Sequence, residues 1–279
     1  MEVYDLVRKE CLRRGLSHKT ITTYVFCLKT FFKKYKKDPK YVTKADIHEY
    51  LDDLIEKEAA GNTINVHHSA LTFFFEEILH KKLLIHIKYS KTPKTLPTVL
   101  TQDETTQLFL AISNKKHQLM VKLMYGAGLR VSELVSMKVC DLDLQMGYGW
   151  VRKGKGNKDR MFVVPDSLVE DIGSHIIDNN LQDSNYLFIG RKGHHLTTRS
   201  VQEIVKKAAK IAGIKKNVHP HTLRHSFATH LIENGYDVAC VQSLLGHNSM
   251  GTTMRYLHMA PSKMINVKSP LDKLNEKDQ

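Results

Sequence analysis

The chain has little that would staple, anchor or metallate it. Its four cysteines, Cys11, Cys27, Cys140 and Cys240, stand far apart in 279 residues and form no CxxC pair. That excludes a zinc ribbon and a thioredoxin-like motif, and reduced thiols are the expected state. No apolar run approaches the ~18 residues that span a bilayer. The start, MEVYDLVRKECLRRG, carries charge where a secretory leader needs an apolar stretch. No membrane partner is expected, and the cytoplasm is the expected compartment. HExxH is missing, as is the GxxxxGK[ST] spacing of a nucleotide-binding P-loop, so neither a metal nor a cofactor is expected. Negative charge is also short. Against 42 Lys and Arg stand 29 Asp and Glu, a formal net charge of +13. The excess is spread along the chain without a basic tail, which points to folded surfaces that meet a polyanion, with nucleic acid the default.

What is present is enough for two domains, since 42% of the residues are hydrophobic. Residues 1–88 read as helices only. Val3, Leu6, Val7 and Cys11 share one face of a first helix that Gly15 ends, and Ser17 caps a second carrying Ile21, Val25, Leu28, Phe31, Phe32 and Tyr35. Thr43 with Asp46 makes a capping box for a third. Asn62 precedes a fourth, with Ile64, Leu71, Phe74, Phe75 and Ile78. These four predict a compact helical bundle. Lys33, Lys34, Lys36 and Lys37 gather at the end of the second helix, with Lys29 one turn earlier, where they either complement its dipole or meet phosphates. Residues 89–99 have prolines, small polar residues and no periodicity, and are read as a linker.

Residues 100–262 form the second expected domain. Thr101 and Glu104 make another capping box. In MYGAGLRVSELVSM, Gly126 and Gly128 break the chain, and Arg130 stands three residues before Glu133. In isolation that pair reads as a surface ion pair worth a few tenths of a kcal/mol, to order of magnitude. From Tyr148 to Pro165 the pattern changes to two short strands around a turn at Gly154, Gly156 and Asn157, with Lys155 at the tip. Taken alone, such a lysine is simply solvated. Residues 166–218 read as further helices plus a short strand near Tyr186 to Ile189. His194 and His195 fall in a polar loop and are assigned no chemistry.

The densest stretch runs from His219 to Tyr256. Leu223, Phe227 and Leu231 fall four apart, predicting an amphipathic helix from about Thr222 to Asn234, with His221 and Arg224 on one flank. Gly235 ends it, Asp237 caps a second helix through Leu245, and Gly246 stops that one before His247. Ser249 or Thr252 starts a last short helix carrying Arg255 and Tyr256. Arginine stays cationic and its fork fits a phosphate bidentately, while histidine offers a proton near neutral pH. A phenol has an ordinary pKa of about 10, which neighbouring cations lower. Tyr256 alone reads as a packed aromatic; beside those cations it reads as a nucleophile.

HxxR at His221 to Arg224, LLGH ending at His247 and TTxxY ending at Tyr256, together with GxGLRxSEL from Gly126 and GKGNKxR from Gly154, resemble the signature of the tyrosine recombinases, in particular their Xer-like and phage-integrase branch. The resemblance implies a mainly α fold with a small β-hairpin or sheet. It implies a helical core-binding bundle at 1–88 and a catalytic domain at 100–262. The tail, 263–279, then either docks on a neighbouring protomer or is a plain disordered end. The implied reaction is site-specific recombination of double-stranded DNA through a 3'-phosphotyrosyl intermediate and a Holliday junction, without metal or ATP. Tyr256 would be the nucleophile, and Arg130, Arg224 and His247 would stabilise the phosphate. Glu133 would orient Arg130, and Lys155 would protonate the leaving 5'-oxygen. His221 would assist the phosphate or shuttle the tyrosine proton, and His219 or His225 would modify the site's pKa values or leave them alone. The implied partners are an inverted-repeat site and a homotetramer assembled on two duplexes from protomers that are monomeric when free. Relaxation in the manner of a type IB topoisomerase, and binding without cleavage, are the competing functions.

Overall fold

The computed structural model describes residues 3–83, 96–152, 159–190 and 193–246. The chain divides into two units, 1–95 and 96–279. In the first, α1 (Val3–Arg13), α2 (His18–Lys34), α3 (Lys44–Glu56) and α4 (Gly61–Thr72) make the expected bundle. Ser17 Oγ accepts from Thr20 N at 3.1 Å, and Thr43 with Asp46 forms the reciprocal box. The fourth helix begins at Gly61 instead of after Asn62. The Ala60 carbonyl takes the amides of Thr63 and Ile64, so Asn62 lies inside the first turn. Beyond α4 the chain widens into a π-helix at Phe73–Ile78, where Leu79 N reaches back five residues to Phe74 O. Phe73, Phe74 and Phe75 are all buried there.

Phe31 sits at the centre of this core, with the rings of Phe32, Tyr35, Tyr50 and Phe75 at 5.1–6.0 Å. The Tyr50 hydroxyl and His67 Nδ1 are 2.9 Å apart, and burial pushes the phenol up and the imidazole down. At the end of α2, Lys34 pairs with Asp53, Lys37 with Asp46 at 2.7 Å, and Lys29 lies over the Tyr4 ring. All five lysines of the cluster are exposed.

In the second unit, α5 (Gln102–Leu110) and α6 (Lys115–Gly126) lead to the short α7 (Val131–Ser136). A sheet follows, with strands β1 (Leu142–Asp143), β2 (Tyr148–Val151) and β3 (Arg160–Val163) in that order and antiparallel. Its register runs from Tyr148 opposite Val163 to Val151 opposite Arg160. The predicted hairpin is therefore β2–β3, with a third strand added; the turn at 154–157 lies outside the described residues. Then come α8 (Asp166–Asp178), α9 (Thr198–Ile211), α10 (Pro220–Glu233) and α11 (Val238–Leu245). The strand expected near Tyr186 to Ile189 is reduced to two isolated bridges. Tyr186 pairs with Lys138 and Ile189 with His195, so neither partner continues into a ladder.

One further expectation is corrected. Instead of an apolar stripe, α10 is buried almost all round, Thr222, Arg224, Ser226, Thr229 and His230 included. Its polar groups are used internally. Ser226 Oγ donates to Thr222 O and accepts from Leu100 N, while His230 Nδ1 meets the Tyr125 hydroxyl at 2.8 Å. A helix threaded through a core in this way needs partners for its polar side chains; Ser226 and His230 find them in the strip before α5 and on α6, while Thr229 Oγ1 is buried without a hydrogen-bond partner among the described residues. Among the described residues, no helix is long and apolar enough to cross a membrane.

Candidate active site

The site grows from the end of α6. Gly128 has φ +58°, and a Cβ there would meet Phe227 Cδ1 at 2.5 Å, so both backbone and space demand glycine. The turn aims the Gly128 carbonyl at Arg224 of α10, whose Nη1 donates to it at 2.6 Å. The chain then enters α7 through Arg130, an extended N-cap with φ −74° and ψ 150°.

Glu133, three residues on, reaches back in a capping box. Its Oε2 accepts from Arg130 N at 2.9 Å and its Oε1 from Arg130 Nη1 at 2.6 Å. This is no surface pair, because the Glu133 side chain is only 4% exposed. α7 turns Glu133, Leu134 and Val135 inward together, which carries the carboxylate into the interior among cations. Arg160 Nη2 of β3 donates to Oε2 at 2.7 Å, and Arg224 Nη1 lies 3.8 Å from the same oxygen. Burial alone would raise the pKa of Glu133. The Arg160 charge, then the amide and guanidinium of Arg130, outweigh burial and hold the carboxyl below its ordinary range.

Two of these guanidiniums also grip the end of α11. Arg224 Nη2 donates to Leu245 O, and Arg160 Nη1 donates to Leu244 O at 2.7 Å. Helix C-terminal carbonyls need partners from outside the helix, and these are charged ones. Gly246 then takes the left-handed conformation, φ 61° and ψ 48°. A Cβ on it would stand 2.7 Å from Arg160 Cδ.

Three guanidiniums around one carboxylate leave two net positive charges. The Arg130 side chain is 19% exposed, against 11% for Arg160 and 4% for Arg224. Such a cluster is built for an oxyanion. His221 lies exposed in the first turn of α10, with its ring 6.2 Å from that of His219 and 6.4 Å from that of His225. His219 is the helix cap, its Nδ1 accepting from Thr222 N at 3.2 Å. Lys155, His247 and Tyr256 lie outside the described residues, as does the predicted last helix. No group of three or more His, Cys, Asp or Glu is placed to hold a metal among the described residues.

Arg130, Glu133 and Arg224 are thus brought together, and Arg160, which ends the GKGNKxR string with no role implied there, joins them. Its signal lay in strand alternation. Arg160 shares the inward face with buried Phe162, while Met161 and Val163 face out.

Residues 98–263 match the model of the phage integrase family, and residues 3–85 match that of the phage integrase N-terminal SAM-like domain. The chain belongs to the phage integrase family of tyrosine recombinases. Tyrosine recombinase XerD of Oceanobacillus iheyensis is 34% identical over 275 residues, covering 91% of this chain and 92% of that one. XerA of Pyrococcus furiosus is 37% identical over 247 residues, covering 87% and 84%. Among solved structures, XerH bound to palindromic difH substrate in a post-cleavage complex superposes with a TM-score of 0.71 at 26% identity, covering 92% of this chain and 82% of that one. The recombinase is accordingly an enzyme of site-specific DNA strand transesterification, cutting and rejoining through a 3'-phosphotyrosyl link. Neither type IB relaxation nor binding without cleavage is favoured.

Proposed function

We propose that Tyr256 is the nucleophile of this recombinase and that Arg130, Arg224 and His247 hold the non-bridging oxygens of the scissile phosphate. The observation that supports this is the convergence of Arg130 and Arg224, distant in sequence, on the one carboxylate of Glu133. In the step, the Tyr256 oxygen bonds to phosphorus as the bond from phosphorus to the 5'-oxygen breaks. Lys155 gives that oxygen its proton, and His221 either accepts the phenol's proton or assists the phosphate while water takes that proton. Attack by a 5'-hydroxyl of the other duplex reverses the chemistry on a new strand. The phosphotyrosyl ester conserves the bond energy, so no nucleotide is needed. Positioned guanidiniums supply the charge stabilisation, and one such arginine is worth roughly 10³–10⁵ in rate in other phosphoryl transfers.

The finer organisation belongs to the same reading. Residues 1–88 are the core-binding domain, with Lys29, Lys33, Lys34, Lys36 and Lys37 facing DNA phosphates, and 89–99 are the linker to the catalytic domain at 100–262. The tail, 263–279, docks on a neighbouring protomer in a cytoplasmic tetramer on two inverted-repeat duplexes. The palindromic substrate of the XerH complex is in keeping with such a site.

The test is covalent capture. The full chain and its Tyr256→Phe variant are expressed in cells, denatured in detergent with chelator, and any attached DNA is sequenced. Adducts at a few inverted repeats that vanish in Tyr256→Phe are the expected result. Scattered Tyr256-dependent adducts point to topoisomerase chemistry instead, and adducts that survive the substitution overturn the assignment of the nucleophile.

A further inference from the structure

Arg160 does more than neutralise Glu133. One guanidinium joins three separate chain segments: Glu133 at the start of the Arg130 helix, the first residue of β3, and the last turn of α11 through Leu244 O. Each of these leads into a residue of the proposed chemistry. Glu133 holds Arg130 by two bonds. In sequence, β3 begins five residues after Lys155, and α11 ends at Gly246, one residue before His247. The fit is tight on both sides of Arg160, with Gly246 packed against its Cδ and its side chain only 11% exposed.

The contact is not optimised for stability alone. Arg160 Nε is buried without a hydrogen-bond partner among the described residues. An unfilled buried donor is destabilising, and an apolar side chain of similar length would avoid it. A charge retained there at such a cost points to a geometric requirement.

We propose that Arg160 is a positioning residue of the recombinase, acting through Glu133 and the α11 terminus to hold Arg130, the start of β3 and the end of α11 in mutual register. The inference rests on the reading of Tyr256 as nucleophile, and its test separates the two.

The variants Arg160→Met, Arg160→Lys, Glu133→Gln and the double Glu133→Gln/Arg160→Met are made in the full chain. The first measurement needs no DNA. Native-state hydrogen exchange of Arg160→Met is expected to accelerate at the last amides of α11, Gln242 to Gly246, with α6 amides Leu119 to Met124 unchanged. Unchanged exchange at α11 overturns the grip, and acceleration everywhere reduces Arg160 to a fold residue. The second uses a nicked duplex of the sequence recovered by covalent capture, at saturating protein. Arg160→Met is expected to slow single-turnover adduct formation at least about tenfold while leaving Kd for that duplex within about twofold, and Arg160→Lys to recover part of the rate. Because both act through one carboxylate, the double variant should be no more than about twofold slower than the slower single. Multiplying effects, or a rate and an affinity that fall together, sink the proposal. A wild-type chain that forms no adduct condemns the nucleophile assignment instead and leaves the grip to hydrogen exchange.

Discussion

Glu133 carries an unusual burden for one carboxylate. It is buried, accepts from the amide and guanidinium of Arg130 and from Arg160, and lies beside Arg224. Its replacement by Gln leaves three guanidiniums without their counter-charge, and breaking a buried pair of this kind costs about 3–5 kcal/mol. Chemical denaturation of Glu133→Gln at neutral pH checks this. The same group gives a signed pH dependence. Its folded pKa lies below the ordinary value, so its stabilisation is complete above the unfolded pKa of about 4.3 and is lost as pH falls through the lower folded value. The melting temperature of the wild type should therefore drop more steeply below about pH 4.3 than that of Glu133→Gln. Equal slopes would mean that the carboxylate titrates alike in both states.

Arg130 and Arg224 should separate in kind. Arg130 is the most exposed of the three, and Glu133 keeps Arg160 when it is removed. Arg130→Ala is expected to lower adduct formation by about 10³ with little change in melting temperature. Arg224→Ala strips partners from the Gly128 and Leu245 carbonyls and should lose stability as well as rate. Melting curves beside single-turnover rates distinguish the two.

At the scale of elements, the turn at Gly128 is the least tolerant point. Gly128→Ala combines a left-handed backbone with a clash on Phe227 and should destabilise the second unit by about 1–3 kcal/mol, measured by denaturant midpoint. Elements whose signals are local were legible in the sequence. Ser17, Thr43, Thr101 and Asp237 cap the helices they were expected to cap, and Gly246 ends α11. What the sequence hid depends on distant partners. α10 looked amphipathic because Leu223, Phe227 and Leu231 alone defined its buried face, whereas Leu100 and Tyr125 also hold Ser226 and His230 inside. Glu133 looked like a surface acid because the guanidiniums of Arg160 and Arg224 arrive from other elements. Arg160 itself stood in the hairpin motif, but a strand residue that fixes a helix end is visible only once both are folded. The widened turn at Phe73–Ile78 left no periodic trace, because three adjacent phenylalanines fit a helical reading as well as a π one.

Across the whole molecule the net charge of +13 favours a polyanion, while the phosphates actually contacted set how affinity responds to salt. Binding should fall with a log–log slope of about 0.9 per phosphate neutralised. The lysines of α2 and its end divide on this test. Lys34 and Lys37 already have carboxylate partners in Asp53 and Asp46, while Lys33 and Lys36 stand exposed beside them. Lys33→Ala and Lys36→Ala should each flatten the slope by up to about 0.9 without lowering the melting temperature. Fluorescence anisotropy across a salt series reads the slope, and an unaltered slope for both would remove this cluster from the DNA interface.

The two carbonyls gripped at the end of α11 also fix where the polypeptide can bend. Hydrogen bonds to charged groups are each worth about 1.5–3 kcal/mol, so a motion that broke both would be populated only about once in 10² to 10⁴ molecules at rest. Before DNA arrives, α11 therefore ends as a fixed post at Gly246.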